Sequence, residues 1–145
     1  MVVVRPFQPR DRARIRDLWD RCGLTRPWND PDLDIDRKVA VDDGLFLVAE
    51  SGGEVVGTAM FGYDGHRGWV NYLGVDPGAR NRGIGRSLMA EGESLLRSRG
   101  CPKLNLQIRA DNEGAVAFYR QLGYRTDEVA SLGKRLIEDG PVNTT

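Results

Sequence analysis

Cysteine and histidine are scarce in this 145-residue chain, which limits the chemistry available to it. The two cysteines, Cys22 and Cys101, form no C-x-x-C pair, and the single histidine, His66, cannot complete a zinc site with them. We therefore expect no bound metal. The two cysteines are expected to remain free thiols, the ordinary state in a reducing cytosol.

Long apolar runs and a dominant charge are also missing. The longest apolar run, Leu45 to Ala49, is too short to cross a bilayer, and the three valines near the N-terminus fall far short of a signal-peptide core. Lys plus Arg number 21, as do Asp plus Glu, so no global charge favours nucleic acid or a membrane surface. We expect a cytoplasmic protein that binds neither.

The composition that remains is ordinary for a soluble globular domain, with 40% hydrophobic and 29% charged residues. The length suits one domain, which we place at residues 1–140, followed by a frayed tail at 141–145. No internal repeat or interdomain linker interrupts it. The sequence leaves monomer and homodimer open.

Hydrophobic periodicity and turn residues predict the element order β-α-α-β-β-β-α-β-α-β-β. Antiparallel hairpins come first and a β-α-β unit follows, so we expect an α/β fold with a mixed sheet covered by helices. The predicted strands cover residues 2–4, 45–51, 54–62, 69–75, 104–108, 124–129 and 131–137. The predicted helices cover residues 11–21, 35–41, 84–100 and 112–122.

The most informative segment runs from Tyr72 to Met89, where a strand enters a glycine-rich turn that opens a helix. Such a turn binds anions, because the first N–H groups of the helix are unpaired and glycine lets a phosphate approach the backbone. The turn fits neither a dinucleotide fingerprint nor a nucleotide P-loop, since Leu88 replaces the third glycine and no Gly-Lys-Ser/Thr occurs. We expect a different phosphorylated ligand.

Two motifs carry a resemblance to a known family. The R-x-x-G-x-G pattern from Arg80 to Gly85 resembles the acetyl-CoA motif of the GNAT (Gcn5-related) N-acetyltransferases, in particular small single-domain bacterial members. The segment from Asn112 to Tyr124 resembles that family's N-x-x-A-x-x-F-Y-x-x-x-G-[FY] segment. The resemblance spans nearly the whole chain, and it implies a GNAT fold with splayed central strands, acetyl-CoA as cosubstrate and acetyl transfer to an amine.

The resemblance also implies roles for single residues. Tyr119 would be the catalytic acid, since a nearby O–H helps a thiolate with a pKa of about 8.5 to leave. Asn112 would bind the pantetheine arm or cap its helix. Leu73 and Val75 would offer N–H and C=O groups to the pantetheine beside a bulge at Gly74, and the N–H near Val75 would polarise the thioester. The phosphate cradle would be formed by Arg80, Asn81, Arg82, Gly83, Ile84, Gly85, Arg86 and Ser87.

The resemblance to the family does not identify a general base. Many family members carry a glutamate on the strand before the glycine turn, where this chain has Trp69. Asp64, His66 and Glu50 are conceivable relays, and no base can be named.

The acceptor wall would be the loop and helix between the first two strands, with Trp28, Asp30 and Asn71 as substrate contacts. The aspartates that alternate from Asp30 to Asp36 lack the glycine and the terminal glutamate of a calcium loop. A plain turn and helix cap, with Trp28 packed inward, is the alternative.

Two functions stay open. The first is direct transfer, in a ternary complex, to a small amine or to a peptide or protein N-terminus. The second is a non-catalytic module that binds or senses acyl-CoA.

Overall fold

Five strands form one mixed sheet, and they lie side by side in the order in which they occur along the chain. The first four are antiparallel to their neighbours, and the fifth runs parallel to the fourth. The strands are β1 (Val2–Pro6), β2 (Phe46–Ser51), β3 (Glu54–Tyr63), β4 (Gly68–Val75) and β5 (Leu104–Asn105). The structure is a computed structural model that describes residues 1–140, so the predicted tail at 141–145 lies outside the described residues. The predicted mixed α/β fold is confirmed.

Four helices cover the two faces of the sheet: α1 (Arg12–Arg21), α2 (Pro31–Val41), α3 (Ile84–Ser98) and α4 (Glu113–Gln121). On one face, Ile15 and Trp19 of α1 and Ile35 of α2 pack in a buried cluster with side chains of β2 and β3. On the other face, Leu88 of α3 and Tyr119 of α4 belong to a second cluster. Burial of these apolar stripes holds each helix against the sheet.

Helix α2 begins earlier than the predicted start at Ile35. The Asp30 carboxylate accepts hydrogen bonds from the N–H groups of Asp32 (2.9 Å) and Leu33 (3.4 Å), and Pro31 takes the first helical position. Aspartate satisfies N–H groups that a helix start leaves unpaired, and proline has no N–H to satisfy there. The Asp-Pro pair therefore starts the helix within what the sequence suggested was a loop.

The strands expected over 124–129 and 131–137 do not form. Between residues 122 and 140, the last that is described, the chain contains no strand. Leu132 and Leu136, which lie within the second of these predicted strands, are 91% and 87% exposed. The fold class is thus confirmed, whereas the last two strands of the predicted order are not observed.

The sheet edge beside this segment explains the difference. Strand β5 ends at Asn105 instead of at the predicted Ile108, so little paired backbone remains for a further strand to extend. Polar contacts hold the segment instead: Lys103 donates to the Asp127 carboxylate at 2.9 Å, and Arg135 donates to the Asn29 side chain at 2.7 Å.

Candidate active site

The two parallel strands, β4 and β5, pair over only two residues. Gly68 lies opposite Leu104 and Trp69 opposite Asn105, and beyond these pairs β4 and β5 separate. A cavity of about 1460 Å³ lies at this opening, with Asn71 and Tyr119 among its lining residues. The predicted splay of the central strands is therefore present, and it exposes one edge of β4.

A buried aspartate fixes the turn that leaves β4. The Asp76 carboxylate accepts a hydrogen bond from the Gly78 N–H at 2.8 Å and contacts the guanidinium groups of Arg14 at 2.6 Å and Arg21 at 2.8 Å. The Gly78 hydrogen bond and the two arginines hold the pKa of Asp76 below its usual range. Sequence reasoning gave Asp76 no role beyond its place in the turn, although Asp-Pro-Gly is a recognisable cap of this kind.

The glycine turn presents a row of unpaired N–H groups. Within residues 1–140, no N–H from Arg80 to Arg86 donates to any backbone or side-chain group. Gly83 caps α3 with a φ of 75°, a left-handed conformation that glycine adopts without strain, and the first helical bond runs from the Ser87 N–H to the Gly83 carbonyl at 3.0 Å. Arg82 and Arg86 are exposed. The residues predicted for the phosphate cradle are consecutive in this turn and in the first residues of α3.

Gly85 brings the two helices of this face together. A Cβ on Gly85 would lie 3.2 Å from the Cζ of Phe118, closer than most such contacts allow. The start of α3 therefore rests directly on the Phe118 ring of α4. This contact fixes the position of the turn relative to Tyr119, the residue after Phe118.

The bulge on β4 lies earlier than predicted. Thr58 of β3 pairs with Gly74 and Met60 pairs with Asn71, so Tyr72 and Leu73 together lie opposite one residue. Gly74 itself pairs regularly, and the prediction of a bulge at Gly74 was wrong. Its missing side chain serves close packing instead, because a Cβ there would lie 2.9 Å from Leu24 Cδ1.

The backbone of Val75 faces the open side of β4. Antiparallel pairs alternate between hydrogen-bonded and non-hydrogen-bonded, and the Asp76 N–H donates to the Val56 carbonyl at 2.8 Å. The pair that contains Val75 is therefore non-hydrogen-bonded, and its N–H and C=O point away from β3. Its carbonyl accepts from the Cys22 thiol and from Arg80 Nε, each at 3.3 Å.

Tyr119 lies in the cavity wall with only 9% of its surface exposed. Its ring meets the rings of Phe118 and Tyr124 edge-on, with centroids 5.1 and 5.6 Å apart. Its hydroxyl forms no hydrogen bond to any of the residues 1–140. Burial raises the pKa of Tyr119 to about 12, so the hydroxyl keeps its proton at neutral pH and can donate it.

Asn112 caps α4, since its side-chain oxygen accepts from the Ala115 N–H at 3.0 Å. This is the cap role that the sequence offered as one of its two interpretations. The Asn112 side chain is exposed, and its amide NH₂ is not used by the cap.

The acceptor wall differs from a simple acidic patch. Asp30 is the α2 cap, Asp32 contacts Arg12 at 3.2 Å, and Asp36 contacts the same arginine at 2.6 Å. Asp34 likewise accepts from the Tyr72 hydroxyl and lies 3.2 Å from an arginine. Arginines therefore already balance most of this negative charge. The other two predicted contacts are exposed: Trp28 is 44% accessible, and Asn71 lines the cavity.

The three conceivable bases lie elsewhere. Glu50 contacts Arg5 at 3.4 Å, and the Asp64 carboxylate accepts from the N–H groups of His66 and Arg67 at 2.8 and 2.7 Å. His66 is exposed in the same turn, and none of the three lines the cavity.

Sequence reasoning missed a carboxylate in the cavity wall. Glu93 of α3 accepts a hydrogen bond from the Tyr124 hydroxyl at 2.5 Å, and both residues line the cavity. The available signal was position, because Glu93 falls between the buried Met89 and Leu96 on the inward face of the helix.

Residues 1–140 contain no cluster of three or more His, Cys, Asp or Glu side chains arranged to hold a metal ion, and no helix among them could span a bilayer. The absence of a metal and the cytoplasmic location stay predictions. So do the single domain and the roles of the site residues.

The sequence matches the family model described as acetyltransferase (GNAT) family over residues 12–124. An acetyltransferase of Pectobacterium atrosepticum is 52% identical over 136 residues, which cover 94% of this chain and 96% of that protein. Among solved structures, Ard1 of Thermoplasma volcanium has a TM-score of 0.76 at 27% identity, with 84% of this chain and 81% of that chain covered. The ribosomal-protein-alanine N-acetyltransferase of Brucella melitensis has a TM-score of 0.69 at 29% identity, with 83% of each chain covered.

Proposed function

Because this chain belongs to the GNAT family and is an acetyl-CoA-dependent acetyltransferase, we propose that it transfers the acetyl group directly to a primary amine while both substrates are bound. The observation that carries this proposal is the row of unpaired N–H groups from Arg80 to Arg86 beside a cavity lined by Tyr119. The N–H groups bind the coenzyme, and the cavity with Tyr119 serves the acetyl transfer.

The diphosphate of acetyl-CoA occupies the glycine turn. The unpaired N–H groups donate to its oxygens, and the positive end of the 15-residue helix α3 adds a favourable field. Arg82 and Arg86 supply charge from the exposed rim. Ser87 lies at the end of the row, where its hydroxyl can join these donors.

The pantetheine arm lies along the open edge of β4, where β5 has separated from it. The Val75 N–H faces this edge. The Leu73 carbonyl faces it as well, because the N–H of the same peptide bond belongs to Gly74 and points toward β3. Asn112 reaches the arm from the start of α4. One N–H of the β4 edge, that of Leu73 or Val75, donates to the thioester oxygen and stabilises the charge that develops there.

The amine nitrogen attacks the thioester carbon, and the C–S bond breaks with its electron pair going to sulfur. Tyr119 gives its hydroxyl proton to that sulfur, which makes the thiol a better leaving group than the thiolate. The nitrogen loses a proton to solvent, and the Tyr119 oxygen regains one from solvent. Neither cysteine takes part: the Cys22 thiol donates to the Val75 carbonyl, and the Cys101 thiol, although it lines the same cavity, donates to the Lys103 carbonyl at 3.5 Å.

The acceptor enters from the side of Asn71 and Trp28, with the start of α2 at Asp30 as its third contact. The name of the Brucella melitensis relative, a ribosomal-protein-alanine N-acetyltransferase, supports a peptide or protein N-terminus. The balanced charges of the α2 aspartates favour an acceptor of low net charge over a polycation. A small metabolite amine is the other class that the test must include.

A non-catalytic acyl-CoA-binding module is the second candidate. It is favoured by one observation: β4 offers Trp69, Val70, Asn71 and Tyr72 near the opening, and none of these is a carboxylate that could take the amine proton.

One experiment separates the two functions. Purified protein and acetyl-CoA are mixed with a panel of peptides that differ in their first residue and with small primary amines, and released CoA thiol is measured together with the mass of the acceptor. Transfer predicts one thiol for each acetylated acceptor. Calorimetric binding of acetyl-CoA without thiol release for any acceptor would contradict transfer and support the binding module.

A further inference from the structure

The bulge on β4 is held by a buried hydroxyl on the neighbouring strand. Thr58 is fully buried, and its Oγ1 accepts from Trp19 Nε1 at 3.0 Å while donating to the Tyr72 carbonyl at 2.9 Å. Thr58 thus bridges the indole of α1 and the backbone of the bulge. A threonine hydroxyl has one proton to donate and two lone pairs to accept with, so both bonds can form together.

Tyr72 has a backbone conformation that an aromatic residue rarely adopts. Its φ is 54°, in the left-handed region, which is strained for a residue other than glycine. Three contacts hold it there: the Thr58 hydroxyl on its carbonyl, the Trp19 ring stacked at 3.8 Å, and the Asp34 carboxylate on its hydroxyl. Three contacts on one strained residue indicate that this conformation serves the site.

The geometry of the peptide bond connects this arrangement to the opening between β4 and β5. A trans peptide is planar, so its C=O and N–H point in opposite directions. Because the Tyr72 carbonyl accepts from the Thr58 hydroxyl, the N–H of Leu73 in the same peptide points away from that hydroxyl and is free to face the opening. No residue of β3 is paired with Leu73, so no β3 carbonyl in the register accepts from this N–H.

Distance along the strand separates Leu73 from Val75. The Val75 carbonyl contacts Arg80 at the entrance of the phosphate cradle. Leu73 lies two residues, about 7 Å, further along the strand. A coenzyme held by its diphosphate at the turn therefore places its thioester nearer to Leu73.

We propose that Thr58 is a positioning residue for acetyl transfer: its hydroxyl fixes the Tyr72–Leu73 peptide so that the Leu73 N–H donates to the thioester carbonyl. This inference rests on the proposed function, and it selects Leu73 over Val75 as the donor. Thr58 does not touch the substrate.

The test compares Thr58→Val, which keeps the shape and removes the hydroxyl, with Thr58→Ser, which keeps the hydroxyl. We expect Thr58→Val to lower kcat by about 10- to 100-fold, as misplacement of a catalytic group by about 1 Å does, and to leave the Kd of acetyl-CoA unchanged. Thr58→Ser should retain most of the wild-type kcat. An unchanged kcat in Thr58→Val, or an equal loss in both variants, would overturn the proposal.

A control accounts for lost stability, since Thr58→Val also leaves the Trp19 N–H without its acceptor. Val48→Ala removes buried methyl groups from the apolar cluster that contains Trp19. Val48 lies on β2, which does not border the opening. It should destabilise the protein and keep kcat. Equal loss of kcat in Val48→Ala and Thr58→Val would assign the effect to stability and overturn the positioning role.

A second readout needs no turnover. Acetonyl-CoA, an analogue in which a thioether ketone replaces the thioester so that no acetyl group can be transferred, is titrated into ¹⁵N-labelled protein. The Leu73 amide resonance should shift strongly in the wild type and much less in Thr58→Val. Equal shifts in the two proteins overturn the positioning role, even if the wild type acetylates amines. A strong shift in the wild type that is lost in Thr58→Val, together with no acetylation of any acceptor by the wild type, would support the positioning role and contradict the proposed function.

Discussion

The Tyr124 hydroxyl donates to the Glu93 carboxylate at 2.5 Å and thereby joins the chain just after α4 to the middle of α3. The Tyr124 N–H also donates to the Tyr119 carbonyl at 3.0 Å, so Tyr124 is held at both its backbone and its side chain. Burial and the Glu93 carboxylate raise the pKa of Tyr124. The helix that carries Tyr119 is anchored to the helix that begins at the glycine turn.

Tyr124→Phe should therefore reduce the free energy of unfolding by about 2 kcal/mol, the usual loss when a charged partner loses its hydrogen bond. Urea unfolding followed by circular dichroism measures it. The matched control is Tyr63→Phe, because the Tyr63 hydroxyl is exposed and makes only long bonds of 3.3 and 3.4 Å. A loss no larger than that of the control would show that the Glu93 bond contributes little.

Tyr119→Phe should lower kcat by about 100-fold or more and leave the Kd of acetyl-CoA unchanged. A general acid typically contributes this much, and the Tyr119 hydroxyl has no structural partner within residues 1–140 that its removal would leave unpaired. Stopped-flow thiol release gives kcat, and calorimetry gives Kd. Equal losses in turnover and affinity would assign Tyr119 to packing. Tyr63→Phe again serves as the control.

Gly83→Val should abolish acetyl-CoA binding in a folded protein. Gly83 has a φ of 75° and sits in the row of unpaired N–H groups, so a β-branched side chain strains the turn and reaches into the cradle. Gly65→Val provides a matched control, since Gly65 also has a left-handed φ, of 92°, with open space around it. Both variants should lose stability, and calorimetry should show lost affinity only for Gly83→Val. Unchanged affinity there would contradict the cradle.

The contribution of Asp76 to the free energy of unfolding should decrease as the pH is lowered. Its pKa is lower in the folded protein than in the unfolded chain, where it is about 3.9, so the contribution is complete above that value and is lost as the pH falls through the folded pKa. Wild type should thus exceed Asp76→Asn in free energy of unfolding by a constant amount near neutral pH. The difference should shrink below about pH 4. Urea unfolding at a series of pH values measures it, and a pH-independent difference would contradict the pairing with Arg14 and Arg21.

Much of the site could be predicted because its signals are local in the chain. Gly83 and Asn112 each sit at the start of a helix, where glycine conformation and side-chain capping act within a few residues. The family and acetyl-CoA as the cosubstrate followed from two such motifs, the mixed sheet followed from hydrophobic periodicity and turn residues, and all three were confirmed. The part each site residue plays stays a prediction.

The position of the bulge could not be predicted in the same way. Gly74 is the residue type that marks bulges, yet it pairs regularly, and the bulge is formed by Tyr72 and Leu73. The deciding contacts come from Thr58, 14 residues away, and, through it, from Trp19, a further 39 residues back. No local preference of tyrosine favours a left-handed conformation, so only these distant contacts could select it.

The sequence by itself determined the starts of α3 and α4, the glycine turn and the family, because these depend on backbone chemistry within a few consecutive residues. Tertiary structure alone decided which N–H groups of β4 face the opening, and it left residues 122–140 without the expected strands. Both depend on pairing between segments far apart in the chain, where a shift of one residue reverses every direction along a strand.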